Sequence, residues 1–139
     1  MFEENNPKGH LMINTVAWFE IATDDPQGAE KFYGGLFGWT FSTDEDSAKG
    51  GMDYRLIGYP GAEGPKGGVY GNGGQFPNHG VFSVVVADTA VTCEHAEKLG
   101  GEIVFKLLDN PHGPDFAYIR DVSGNLFGVF TPPNLPAGA

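Results

Sequence analysis

Apolar and polar residues change period early in the chain. Over residues 16–22 (VAWFEIA) bulky, β-favouring side chains alternate, so Trp18, Glu20 and Ala22 share one face of a predicted strand. Phe19 and Ile21 take the other face. From residue 26 the period becomes helical. Ala29, Phe32, Tyr33, Leu36 and Phe37 fall at i, i+3, i+4, i+7 and i+8, which predicts an apolar stripe along a helix. Asp25 suits the N-cap and Pro26 the first helical position, where a missing N–H costs nothing. Gly34, Gly35 and Gly38 are poor helix formers, so the helix is expected to end near Phe37.

The next elements are short. Strands are predicted at 40–43, 52–59 and around 68–70, with a charged turn at 44–51 and a turn-rich loop at 59–67. Residues 72–78 are rich in Gly, Asn and Pro and read as a linker. The opening pattern then returns as a strand at 81–86, an N-cap at Asp88 and a helix at 89–99 that stops at Gly100 and Gly101. Further strands are predicted at 102–105, 116–120 and 126–130. Ile21 aligns with Val84, Asp25 with Asp88, Leu36 with Leu99 and Gly38 with Gly101, all at an offset of 63. Near the end Gly68-Val69-Tyr70 matches Gly128-Val129-Phe130 at an offset of 60, so the second half has shorter loops. Each half reads β-α-β-β-β. An internal repeat of this kind sets the architecture, and two helices are too few for a doubly wound parallel sheet.

Composition narrows the partners. With 139 residues, 40% of them hydrophobic, the chain fits one domain with a real core. Its formal net charge of −10 argues against nucleic acid or an anionic membrane surface as partner. Cys93 is the single cysteine, which leaves no internal disulfide and suits a reducing cytoplasm. No apolar run reaches the ~18 residues of a membrane span, and residues 1–10 lack a signal-peptide pattern. Residues 1–12 read as a flexible arm and 134–139 as a tail; between them lies one domain, 13–133, with modules at about 13–71 and 79–133.

The runs WFEIATDDPQGAEKFYGGLFGW, FSVVVADTAVTCEHAEKLGG and FAYIRDVSGNLFGVF resemble the vicinal oxygen chelate superfamily, also called the glyoxalase/bleomycin resistance/dioxygenase superfamily. The resemblance covers about residues 14–132 and is to its small, two-module bacterial members. It implies an α+β fold in which two βαβββ modules form a half-open barrel around a cavity, with helices outside, and a homodimer. It also implies that Phe19, Ile21, Phe82, Val84 and Val86 face the helices, whereas Trp18, Glu20, Ala22, Val81, Ser83 and Val85 face the cavity. Alternation alone allows this assignment without choosing between faces.

Metal-dependent members of that superfamily hold a divalent ion through a His, Glu or Gln on the first and last strand of each module. Only converging nitrogen or oxygen donors can hold such an ion against substrate oxygens. Carried over position by position, those places fall on Trp18, Gly68, Val81 and Gly128, none of which can coordinate through its side chain. No metal is therefore expected at the family site, and no other cofactor is indicated. Glu20 and His79 are a conceivable relocated pair but lack further ligands, and His10, His95 and His112 supply no obvious set.

Glu20 is the polar residue of most interest, because a desolvated carboxylate has a raised pKa suited to acid–base work. The competing reading pairs it with Arg55 or Arg120, or lets it reach solvent. Trp18, Tyr54, Tyr70, Phe116 and Tyr118 offer flat stacking surfaces, Val81 an apolar wall and Ser83 a hydrogen-bond donor, as in a small-molecule site. Alternatively those rings simply fill the barrel, giving an interaction module that is packed shut. Cys93, beside Glu94 on the second predicted helix, reads as inert. The leading expectation is a metal-independent binder of a small, flat or aromatic organic molecule. The alternative is a lyase- or isomerase-like enzyme using Glu20 as acid or base, or a relocated metal.

Overall fold

The computed structural model describes residues 12–133, so the expected arm and tail lie outside the described residues apart from Met12. The elements run β1 (Thr15–Thr23), α1 (Pro26–Phe37), β2 (Thr40–Thr43), α2 (Glu45–Lys49), β3 (Tyr54–Gly58), β4 (Pro65–Gly71), β5 (His79–Val85), α3 (Thr89–Lys98), β6 (Glu102–Leu107), β7 (Asp115–Arg120) and β8 (Leu126–Thr131). The class is α+β, and the pattern is the repeated βαβββ module that the sequence implied.

Two units fold around these elements. The first spans Trp18–Gly80; the second takes residues 81–133 together with 12–17, whose Asn14 N–H donates to the Val85 carbonyl at 2.6 Å. In the first unit the strand order is β2-β3-β4-β1, antiparallel except for the parallel β4/β1 pair. The second unit repeats that order as β6-β7-β8-β5, again with one parallel pair, β8/β5.

Both long helices start as their caps dictate. The Asp25 side chain accepts from Gly28 N–H and the Asp88 side chain from Val91 N–H, each at 3.0 Å. Pro26 opens α1, and Gly38 closes it in the left-handed region, at φ 72°. Within the second unit, Val86 from the β5 end, Cys93 from α3, Ala117 and Ile119 from β7 and Val129 from β8 form the core, with Val84, Ala96, Ile103 and Phe127 packed against it. That settles which faces of β5, β7 and β8 meet the helix.

Several expectations need correction. The predicted stripe of α1 does not turn inward as a whole: Phe32, Leu36 and Phe37 are more than half exposed. The helix is tied to the sheet through Trp39, on which Tyr33 stacks at 5.5 Å and which Phe37 meets at 5.2 Å; Trp39 in turn meets Phe19 of β1 at 5.8 Å. The charged segment 44–51 is not merely a turn but contains α2. Glu45 and Asp46 in its first turn and Lys49 in its last suit the helix dipole. Residues 72–78 are an ordered turn, clamped by Asn72 and Asn78 to the end of β1.

Candidate functional site

In the first unit, the face of β1 turned away from α1 carries Trp18, Glu20 and Ala22. Phe19 marks the opposite side, since its ring packs with Trp39 and Tyr59. Register then decides their neighbours. Glu20 lies beside Gly68, and Ala22 beside Tyr70, on β4; Tyr70 in turn faces Tyr54 on β3. A row of rings follows. The Trp18 indole N–H donates to the Tyr54 hydroxyl at 2.9 Å, Tyr54 stacks near Tyr70 at 6.4 Å, Tyr70 meets Phe76 at 6.0 Å and Phe76 stacks on His79 at 5.8 Å.

Glu20 sits within this row and is only 8% exposed. Arg55, one of the partners weighed for it, belongs to the other face of β3. It bonds Glu30 of α1 at 2.8 Å and Asp53 at 3.3 Å. Burial pushes the Tyr70 hydroxyl above the usual phenol range, and the Glu20 charge pushes the same way, so Tyr70 stays protonated and able to donate.

The second unit gathers the other expected residues. Ser83 on β5 and Tyr118 on β7 lie on either side of Gly128 of β8. Phe116 meets Tyr118 edge-on at 5.9 Å and Phe105 of β6 at 5.9 Å. Val81 and Ser83 are buried, each 8% exposed, and alternate along β5 on one face. Arg120, the other partner weighed for Glu20, bonds the Gly124 carbonyl at 3.2 Å and lies 3.6 Å from Glu102.

Two rings escaped sequence reasoning. Phe76 lay in an assumed linker, and Phe105 in a strand whose alternation is blurred by a register shift. His79 was weighed only as a metal ligand, whereas its ring stacks on Phe76.

The chain matches the model of the Glyoxalase/Bleomycin resistance protein/Dioxygenase superfamily over residues 13–129. It belongs to that superfamily. Among its relatives, a protein of Mycobacterium bovis and one of Mycobacterium tuberculosis, both named "Putative glyoxylase CFP32", are 30% identical over 95% of this chain. The chain spans about half (51%) of the length of these mycobacterial relatives. A "Glyoxylase-like domain-containing protein" of Didymella fabae is 29% identical over 88% of this chain and 98% of its own. Solved structures share the fold at lower identity. A hypothetical protein from Bacillus halodurans matches with a TM-score of 0.58 and 12% identity, covering 84% of this chain and 93% of its own. Methylmalonyl-CoA epimerase from Mycobacterium tuberculosis matches at 0.55 and 16%, covering 91% and 93%.

The superfamily's divalent ion does not fit the residues present. Its four carried-over positions are Trp18, Gly68, Val81 and Gly128, without a donor side chain among them. Nor are the two glycines open corners. A Cβ on Gly68 would fall inside the ring of Tyr54, and one on Gly128 would lie 2.5 Å from the Ser83 hydroxyl. Among the described residues no three of His, Cys, Asp and Glu come together as a ligand group. Likewise, no helix among them is long and apolar enough to cross a membrane.

Cys93 is 1% exposed, and burial pushes its thiol up, outweighing the pull of Lys106 the other way, with Glu97 adding the smallest push upward. The thiolate is the reactive form. A disulfide-exchange reagent at neutral pH is therefore expected to label the native protein far more slowly than the unfolded chain. Equal rates would show that the core around α3 opens freely.

Proposed function

We propose that this superfamily member binds a small, flat or aromatic organic molecule against the ring-lined face of its first unit, without the family's metal. What supports the reading is the continuous row Trp18–Tyr54–Tyr70–Phe76 beside a buried carboxylate. Such a row offers flat faces, an indole and hydroxyls to set orientation, and one charge. Each aromatic side chain can bury ~150–250 Å², so even part of the row supplies several kcal/mol at about 25 cal/mol per Å². In the other unit, Val81, Ser83, Phe116 and Tyr118 form an apolar and hydroxyl-bearing face of their own. The protein works as a homodimer in the reducing cytoplasm, which one buried, unpaired cysteine suits.

The second reading is a lyase- or isomerase-like enzyme. Glu20 favours it, since a carboxylate buried beside the protonated Tyr70 hydroxyl pairs a base with a donor. A proton removed by Glu20 would be accompanied by a hydrogen bond from Tyr70 to the charge that develops on the substrate. Where no proton moves, the same pair serves only to orient the ligand.

One experiment covers both readings. A thermal-shift panel of flat aromatic molecules should contain ligands that raise the melting temperature, because ligand at ~100 times its Kd adds about 2.7 kcal/mol of stability. Binding is expected to survive exhaustive chelation. A panel with no stabiliser, together with native mass spectrometry showing no co-purified molecule, rejects the binding site. Affinity lost on chelation and restored by a divalent ion rejects metal independence. In a Glu20→Gln variant, retained binding with lost turnover of a bound compound favours the enzyme.

A further inference from the structure

We infer that Asn72 is a deamidation site held in check by the fold, and that its conversion irreversibly dismantles the turn over residues 72–78. The inference is independent of any ligand. Of all the asparagines in the chain, only Asn72 is followed by glycine. That order matters because glycine has no side chain to shield its backbone nitrogen. The Gly73 nitrogen attacks Cγ of Asn72, a five-membered imide closes and the Cγ–Nδ2 bond breaks. The proton displaced from Gly73 leaves with Nδ2 as ammonia. Water then opens the imide at either carbonyl, giving aspartate, or isoaspartate in which the main chain runs through the former side chain.

In the folded protein each requirement of that reaction is withheld. Asn72 is 2% exposed, so the water that must open the imide barely reaches its side chain. Its Nδ2 donates to the Phe76 carbonyl at 3.0 Å and to Asn78 Oδ1 at 3.3 Å, which tethers the leaving nitrogen. Its Oδ1 accepts from Gly74 N–H at 2.8 Å, which fixes the direction of the side-chain carbonyl. On the main chain, Asn72 N–H donates to the Thr23 carbonyl at 2.9 Å, and the Asn72 carbonyl accepts from Gln75 N–H at 3.1 Å. Attack requires Cγ to swing onto the Gly73 nitrogen, so the side-chain bonds must open together. Turns open locally at less than the cost of global unfolding, and the modification rate follows the fraction open. Once converted, the turn cannot close as before. Aspartate lacks both Nδ2 donors, which strands the Phe76 carbonyl, and isoaspartate lengthens the backbone by one carbon. Asn72 thus turns a passing opening of this turn into its permanent loss.

The test is to hold the whole protein, native and unfolded in guanidinium chloride, at one temperature and one mildly alkaline pH. Peptide mapping by mass spectrometry then follows each asparagine with time. The unfolded chain is expected to convert Asn72 before any other asparagine, and the native protein to do so at least about tenfold more slowly. Asn78→Ala removes one acceptor of Nδ2 and the tie to the Asp24 side chain, but leaves Asn72 and Gly73 untouched. While still folded, it should convert Asn72 several-fold faster than the native protein. If circular dichroism shows that Asn78→Ala does not fold, Asp24→Ala takes its place, since it cuts the same clamp at its far end. Chain converted in denaturant and returned to native buffer should melt several degrees below unconverted chain refolded in the same way. Equal rates in native and unfolded protein overturn the inference, as does another asparagine converting first in the unfolded chain. A folded clamp variant no faster than the native protein, or converted chain that melts like its control, overturns it equally.

Discussion

Replacing Gly68 with alanine is expected to abolish ligand binding to the first unit and to cost about 1–3 kcal/mol of stability, as overpacking does. The added methyl group would occupy the space of the Tyr54 ring, at its Cε1, Cζ and hydroxyl atoms. Backbone strain is not the issue, since Gly68 does not have a positive φ. The ring must swing away, which breaks the Trp18–Tyr54 hydrogen bond of 2.9 Å and parts Tyr54 from Tyr70. Denaturant melts and titration with any ligand from the panel check both halves of the expectation. Gly68→Ala binding normally at unchanged stability would show that Tyr54 has no part in the site.

Its neighbour provides the contrast. An alanine at Gly67 points to the other side of β4, into the ring of Phe19, which Trp39 and Tyr59 hold in place. That variant should lose comparable stability yet, where it folds, bind ligand as before. Adjacent glycines thus separate packing on the helix side from recognition on the aromatic side. The same pair of positions also explains why the superfamily's chelating corner cannot be rebuilt by one substitution. A donor placed at Gly68 would have to displace Tyr54 before it reached any ion.

Much of this architecture can be read directly from the chain because each half repeats strong local signals. The Asp25 and Asp88 caps, the Pro26 start and the Gly38 stop are short-range effects that tertiary contacts had no reason to override. Two kinds of information were not local. Alternation places Trp18 and Glu20 together, but it is symmetric about the strand, so only the packing of Phe19 on Trp39 chooses their side. Helical spacing likewise marks Phe32, Leu36 and Phe37 as one stripe with Tyr33, although those three stay more than half exposed while Tyr33 is half-buried against Trp39. α2 was hidden for another reason. Five residues with no apolar period carry no amphipathic signal, and its stability comes from end charges and the Ser47–Asp44 hydrogen bond.

The segment 72–78 shows how composition misleads, and it yields the second large effect. Gly, Asn and Pro suggested a passive linker, yet Asn72 is 2% exposed and its side chain is the hub of the turn. Its amide donates to the Phe76 carbonyl at 3.0 Å and to Asn78 at 3.3 Å, and its side-chain oxygen accepts from Gly74 N–H at 2.8 Å. Asn78 in turn holds both the backbone and the side chain of Asp24, at 3.0 and 3.1 Å. Asn72→Ala leaves the buried donor and acceptors of this turn without their partner. At ~1–3 kcal/mol for each buried group stranded, and with water able to reach some of them, a loss of about 2–4 kcal/mol is expected. For a domain of this size that is a fall in melting temperature of roughly 6–16 °C. Because the turn carries Phe76 onto Tyr70, the folded fraction should also bind ligand several-fold more weakly. Asn72→Asp sharpens the point. It keeps the acceptor for Gly74 but sets a carboxylate against the Phe76 carbonyl, so it should be at least as destabilised as Asn72→Ala, and increasingly so as pH rises through the carboxylate range. Melts across that range, alongside ligand titrations, decide it: an Asn72→Asp protein as stable and as tight-binding as the native one would show that this turn neither supports the fold nor positions the ring.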